Sequence, residues 1–225
     1  GMVNKAAPWC STCAITLNVE FANGTCPHCD GELSERSAKM SKSLGNTVSP
    51  EEMIEKFGAD TVRLFILFAA NPTAGMDWSD SALEANYRQM VQLYNMPETI
   101  LSWKGNAREI DTWMIARLKQ ICQQWRDAMD SYDLRGAVDA SHFDLVKDLN
   151  WYRRRGGENP EIGKEILRVW THMISIATPH IAEDWWKMMG NDDLVAGRVF
   201  ELPDQLTSAE KDALDAETYL RAFSV

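Results

Sequence analysis

Apolar residues recur at three- and four-residue spacing along most of the chain after residue 79. In "DTWMIARLKQICQQWRDAM", residues 111–129, Met114, Leu118, Ile121, Trp125 and Ala128 fall on one face of a helix, a stripe that neighbouring helices must bury. The pattern predicts further helices at about 135–154, 161–189 and 208–223, the second of them broken at Pro179. Upstream, Ser79 or Asp80 caps a helix reaching about Trp103, with a kink or break at Pro97. The linker "RRRGGENP", residues 153–160, is polar and glycine-rich, as a helix–helix connection should be. These elements predict a bundle of four to six helices with a core of tryptophan, leucine and methionine. Ahead of it, Ser49-Pro50-Glu51-Glu52 offers an N-cap, a first-turn proline and two acids at the positive end of the helix dipole. Gly58 ends that short helix, and "ADTVRLFILFAANP" runs to a stop at Pro72. Only "AITLNVEFANGT", residues 14–25, alternates apolar and polar positions and closes on Asn23-Gly24, which predicts strand and turn.

Composition narrows the class. The 225 residues are 45% hydrophobic and 25% charged, globular proportions for one large or two small domains. The longest apolar run, residues 64–70, falls well short of the roughly 18 residues that span a bilayer. The opening "GMVNKAAPWC" has no secretory apolar region, so no membrane association is expected. A net charge of −10 argues against a wholly basic nucleic-acid binder. Ten acids and four bases fall in residues 183–225, which leaves room for a local basic surface elsewhere.

Four of the five cysteines form Cys10-x2-Cys13 and Cys26-x2-Cys29, a spacing of metal ligands rather than disulfides. Four thiolates around one Zn2+ leave no open position for water, so the metal is expected to be structural. Reduced thiolates imply a reducing compartment, hence the cytoplasm. His28, inside the second pair, is expected outside the ligand set, and Cys122 behaves as a small buried hydrophobe.

"KMSKS", residues 39–43, combines Lys39, Met40, Ser41, Lys42 and Ser43 ahead of a helix start. Positive charge, hydroxyls and backbone N–H groups can hold a pyrophosphate as its charge develops; an ordinary solvated lysine–serine loop would read the same. The longer stretch "KMSKSLGNTVSPEEMIEKFGADTVRLFILFAANPTAGMDWSD", residues 39–80, resembles class I aminoacyl-tRNA synthetases and, within them, the leucyl-tRNA synthetases. "GADTVRL" at 58–64, "DWSD" at 77–80 and "TPHIAEDWW" at 178–186 extend the resemblance, and "AETYLRAFSV" at 216–225 is similar to the archaeal type.

The resemblance implies that Lys39 to Ser43 are a mobile ATP-binding loop, Lys39 and Lys42 its catalytic cations, with ATP and Mg2+ as substrate. It implies the loop and its connecting helices at 39–78 and a helical bundle of the class Ia anticodon-binding type at 79–225; with the zinc-ribbon-like module that the cysteine spacing predicts at 1–38, a mostly α fold in three parts is expected. In leucyl enzymes that bundle supports the body of tRNA(Leu). The family's His-x-Gly-His motif is absent, since the four histidines, at 28, 142, 172 and 180, do not supply that spacing. The chain is therefore expected to be the C-terminal portion of a leucine–tRNA ligase, monomeric and inactive alone. A free-standing tRNA-binding protein, or part of a methionyl or valyl enzyme, is the alternative. Trp151, Arg153, Arg154 and Arg155 of "WYRRR", with Lys164 and Arg168, are candidate tRNA contacts through phosphate pairing and base stacking; a core tryptophan beside a solvated helix end is the other reading.

Overall fold

A strand that sequence patterning does not signal organises the N-terminal part of the protein. In the computed structural model, which describes residues 2–69, 74–201 and 203–222, Val3–Cys10 (β1) pairs antiparallel with Leu33–Lys39 (β3) from Asn4 opposite Lys39 to Cys10 opposite Leu33. The short strand Ile15–Thr16 (β2) pairs with the end of β1, and Met76–Asp77 (β4) pairs parallel with its start. "LSERSAK" in β3 lacks an apolar alternation and is mostly exposed, so its conformation comes from pairing with β1 rather than from its own face. The stretch between the cysteine pairs is strand only at β2; it then tightens into a 3-10 turn, Val19–Phe21, capped by Asn18.

Pro50–Phe57 (α1) begins as its sequence predicts, with Ser49 Oγ accepting the Glu52 N–H at 3.3 Å, and ends at Gly58, whose φ of +81° suits glycine. Ala59–Ala69 (α2) follows directly; the stop expected at Pro72 lies outside the described residues. Phe57, Val62, Phe65, Met76 and Leu83 form the apolar core here, Leu83 coming from Asp80–Tyr94 (α3). The chain divides into two compact units, Gly1–Tyr87 and Arg88–Val225.

The second unit is helical. Pro97 stands in the first turn of Met96–Leu101 (α4), and the break from α3 falls at Asn95. Glu109–Asp130 (α5) buries Met114, Leu118 and Ile121, with Trp125 and Ala128 half-buried on the same side. Leu134–Val138 (α6), a π-helical turn at Asp139–Asp144 and Leu145–Arg154 (α7) make up the helix expected at 135–154. Pro160–Ile174 (α8) and Pro179–Met188 (α9) flank the break at Pro179, and Ser208–Ala222 (α10) closes the described chain. Trp113, Trp170, Trp185 and Tyr152 are fully buried, Trp170 and Trp185 edge to face at 5.0 Å.

Polar staples fix the register of these helices. Tyr152 Oη donates to Asp111 Oδ1 at 2.6 Å and Asn159 Nδ2 to Asp111 Oδ2 at 2.7 Å. Gly157 lies so close to the Tyr152 ring that a Cβ would sit 2.2 Å from it. Buried Asp148 accepts from Arg117 and from Arg221, each at 2.7 Å; two guanidinium partners offset the cost of burying its charge. The fold is a mostly α protein whose bundle is preceded by a small cysteine module. Among the described residues no helix is long and apolar enough to cross a membrane.

Candidate functional site

The cysteine quartet is assembled by two matching knuckles. β1 ends at Cys10, and each second cysteine is followed by a residue in the left-handed region, Ala14 at φ +54° after Cys13 and Asp30 at φ +55° after Cys29. The second knuckle closes through Asp30 N–H to Cys26 O at 2.9 Å and Cys26 N–H to Gly31 O at 2.9 Å. All four sulfurs lie within 4.8 Å of one another, Cys10 to Cys29 at 3.5 Å and Cys13 to Cys26 at 3.9 Å. A tetrahedron with metal–sulfur bonds of 2.3 Å has sulfurs about 3.8 Å apart, so the set fits one tetrahedral ion. His28 is exposed and outside it.

The thiols influence one another strongly. The Cys13 backbone N–H, donating to Cys10 Sγ at 3.4 Å, draws the Cys10 pKa down to about 7. Hydrogen bonding with Cys29, together with burial, pushes Cys13 up to about 12. Once one sulfur is charged the others resist ionising, and a divalent cation is the agent that lets all four be thiolates together. The cluster around them buries Cys10, Leu17 and Cys26, with Ile15, Phe21 and Leu33 partly so.

The lysine–serine loop leaves the sheet directly. Lys39 is the last residue of β3, and Met40 N–H donates to Val3 O at 3.1 Å. Lys42–Leu44 is a 3-10 turn capped by Ser41, whose Oγ accepts the Leu44 N–H at 3.3 Å and lies 3.1 Å from Ser43 Oγ. Gly45, at φ +68°, ends the turn. Lys39, Lys42 and Ser43 are exposed, and among the described residues neither lysine has an ion-pair partner. The arrangement offers two ammonium groups and two hydroxyls to an anion.

Asn46 anchors this loop although sequence reasoning passed over it. It is buried, its Oδ1 accepts the Ser41 N–H at 2.9 Å, and its Nδ2 donates to Lys5 O at 3.2 Å. The available signal was its place in a Gly-Asn pair closing a polar loop.

The six candidate RNA contacts are dispersed and mostly engaged internally. Trp151 is buried and donates from Nε1 to Glu217 Oε1 of α10 at 2.8 Å; Arg155 Nε donates to the same oxygen at 2.8 Å. The Arg154 guanidinium lies 5.6 Å from the Trp151 ring, and Arg153 is exposed at the end of α7. On α8, Lys164 pairs with Glu161 at 2.8 Å and Arg168 with Glu165 at 2.7 Å.

A family model described as "tRNA synthetases class I (I, L, M and V)" matches residues 32–79, from the second knuckle's exit through the loop to α2 and β4, and "Anticodon-binding domain of tRNA ligase" matches residues 111–222. The chain belongs to the class I tRNA synthetases. The leucine–tRNA ligase of Archaeoglobus fulgidus is 34% identical over 193 residues, which is 85% of this chain and 20% of that protein. The leucine–tRNA ligase of Methanothrix thermoacetophila is 32% identical over 197 residues, again 85% and 20%. The chain thus spans about one fifth of the length of the curated relatives it matches. Among solved structures of this synthetase class, the LeuRS of Agrobacterium radiobacter, in a ternary complex with tRNA and LeuAMS, aligns with a TM-score of 0.58 at 26% identity, covering 70% of this chain and 22% of that one. The methionyl-tRNA synthetase of Mycobacterium tuberculosis aligns at 0.54 and 22% identity, over 67% of this chain and 35% of that one, a likeness in fold.

Proposed function

We propose that this chain supplies the phosphate-handling loop and the tRNA-supporting helical bundle of a leucine–tRNA ligase, which joins leucine to tRNA(Leu) through an ATP-derived adenylate. The observation that carries the reading is the loop itself: Lys39 and Lys42 stand exposed, with no carboxylate partner among the described residues, on a turn fixed to the sheet by Asn46 and inside the segment matching the class I synthetases. Lys42, with Lys39, Ser41 and Ser43 beside it, stabilises the charge that develops on pyrophosphate as the carboxylate of leucine displaces it from the α-phosphorus of ATP. Mg2+ accompanies ATP and shares that neutralisation.

The cysteine quartet holds Zn2+ as a structural ion, since four sulfur ligands leave no reactive position. Its thiolates suit a reducing compartment, the cytoplasm. In the bundle, Arg153 and Arg154 meet tRNA phosphates from the end of α7. Arg155, Lys164 and Arg168 exchange their carboxylate partners for phosphate, while Trp151 fixes the helix end. The protein works as a monomer.

The test is ATP–pyrophosphate exchange dependent on each amino acid, with the whole ligase containing this chain and with the chain alone. Exchange by the whole enzyme with leucine, and by the chain with none, is the expected result. Exchange driven by methionine or valine, or exchange by the chain alone, contradicts the reading.

A further inference from the structure

The cysteine module is hydrogen-bonded to the lysine–serine loop through the side chain of Asn18. Asn18 Nδ2 donates to the Ser43 backbone oxygen at 3.0 Å, across 25 residues of sequence. The other end of the same amide is used as well: Asn18 Oδ1 accepts the Glu20 N–H at 3.0 Å and so caps the 3-10 turn Val19–Phe21. The loop packs closely at this point, because a Cβ on Gly45 would lie 2.9 Å from Val19 Cγ2 and 3.1 Å from Asn18 Oδ1. Behind Asn18, Leu17 is buried with Cys10 and Cys26, and its N–H donates to Pro8 O at 2.8 Å.

We infer that Asn18 is a positioning residue through which the cysteine module braces the lysine–serine loop in its resting conformation. The loop is held from two sides. Asn46 ties Ser41 to the sheet, and Asn18 ties Ser43, beyond Lys42, to the module. The two anchors straddle the residue that presents the ammonium group. The Asn46 anchor is buried; the Asn18 anchor is half-buried and, as a single amide–carbonyl bond, weak enough to release when the loop closes on phosphate. The path from the sulfurs to the loop, Cys10 and Cys26 to Leu17 to Asn18 to Ser43, makes the loop's resting order depend on the folded module. That consequence for catalysis rests on the loop's role proposed above; the brace itself does not.

The test uses Asn18→Asp, which keeps an oxygen to cap Glu20 and removes the donor to Ser43. Hydrogen exchange is measured in the metal-loaded chain at the amides of Leu44 and Gly45 and across residues 10–29. The expected result is about fivefold faster exchange at Leu44 and Gly45, the loss of one ordinary hydrogen bond, with residues 10–29 unchanged. Unchanged exchange at Leu44 and Gly45, or equal loss across 10–29, overturns the inference. Stripping the metal from the wild-type chain should expose residues 10–29 and 41–46 together; a loop that stays protected after the module has opened also overturns it. In the whole ligase, Asn18→Asp destabilises the resting loop relative to the closed one, so the KM for ATP should fall with kcat little changed. Hydrogen exchange reads the brace without ATP, and Lys42→Ala reads the loop's chemistry without the brace, so the two ideas fail separately.

Discussion

Removing the metal from the cysteine quartet, by chelation or by Cys26→Ser, is expected to unfold the module of residues 3–39 while leaving the helical bundle folded. The module has little else to hold it: five buried residues, Ala7, Pro8, Cys10, Leu17 and Cys26, two of them metal-binding candidates themselves, and a few half-buried apolar side chains. Structural zinc sites contribute on the order of 10 kcal/mol of binding free energy that is also folding free energy, far more than one buried leucine supplies. β3, exposed along most of its length, has no independent reason to stay extended once β1 is lost. The bundle has its own core around Trp113, Trp170 and Trp185, so its helical circular dichroism and thermal midpoint should change little. Metal analysis should give one ion per chain, and hydrogen exchange should show residues 3–39 losing protection on its removal. A module that remains protected with no metal bound would contradict the assignment.

A second large effect is expected in acid. His142 lies fully buried in the π-helical turn, Nδ1 at 2.8 Å from Ser141 Oγ and Nε2 at 3.1 Å from Thr178 Oγ1. Those hydroxyls also approach backbone oxygens, Ala137 O at 2.7 Å and Ile174 O at 3.1 Å. Burial among uncharged groups, rather than these hydrogen bonds, is what disfavours a charged ring here. Burial pushes its pKa from 6.5 down to about 3, against a smaller opposing effect of the Val138 backbone. The unfolded chain therefore takes up the proton first. The stabilisation is complete above about pH 6.5 and is lost progressively as pH falls toward 3, by up to roughly 5 kcal/mol. His142→Asn should be less stable at pH 7 and lose less on acidification, and comparing denaturant midpoints of the two proteins from pH 7 to 4 isolates the histidine from carboxylates common to both. Parallel loss of stability in both would rule out this role.

The bundle was legible because its signals are local. Pro97 and Pro179 break helices wherever they stand, and Met114, Leu118 and Ile121 mark a buried face by spacing alone. The cysteine cluster was legible for the same reason, as each pair is a short-range motif. What escaped depends on partners distant in sequence. β3 is a strand only because β1 lies 30 residues or so upstream to pair with it. Glu217 claims Trp151 and Arg155 from 66 and 62 residues away, so "WYRRR" read alone looks freer than it is. The π turn at Asp139–Asp144 has no counterpart in apolar spacing; it accompanies the buried pairing of Ser141 and His142. In the candidate site the charged loop residues stood out, while the two asparagines that hold them, Asn18 and Asn46, did not, because an amide's value lies in what it reaches.

Whether the lysine–serine loop works on pyrophosphate is read most directly from leucine-dependent ATP–pyrophosphate exchange by the whole ligase carrying Lys42→Ala. The kcat should fall about a hundredfold, the scale of removing one preorganised group from a developing anion, with leucine binding unchanged. Wild-type exchange in that variant would mean the loop is an ordinary solvated turn, and the function proposed for this chain would not stand.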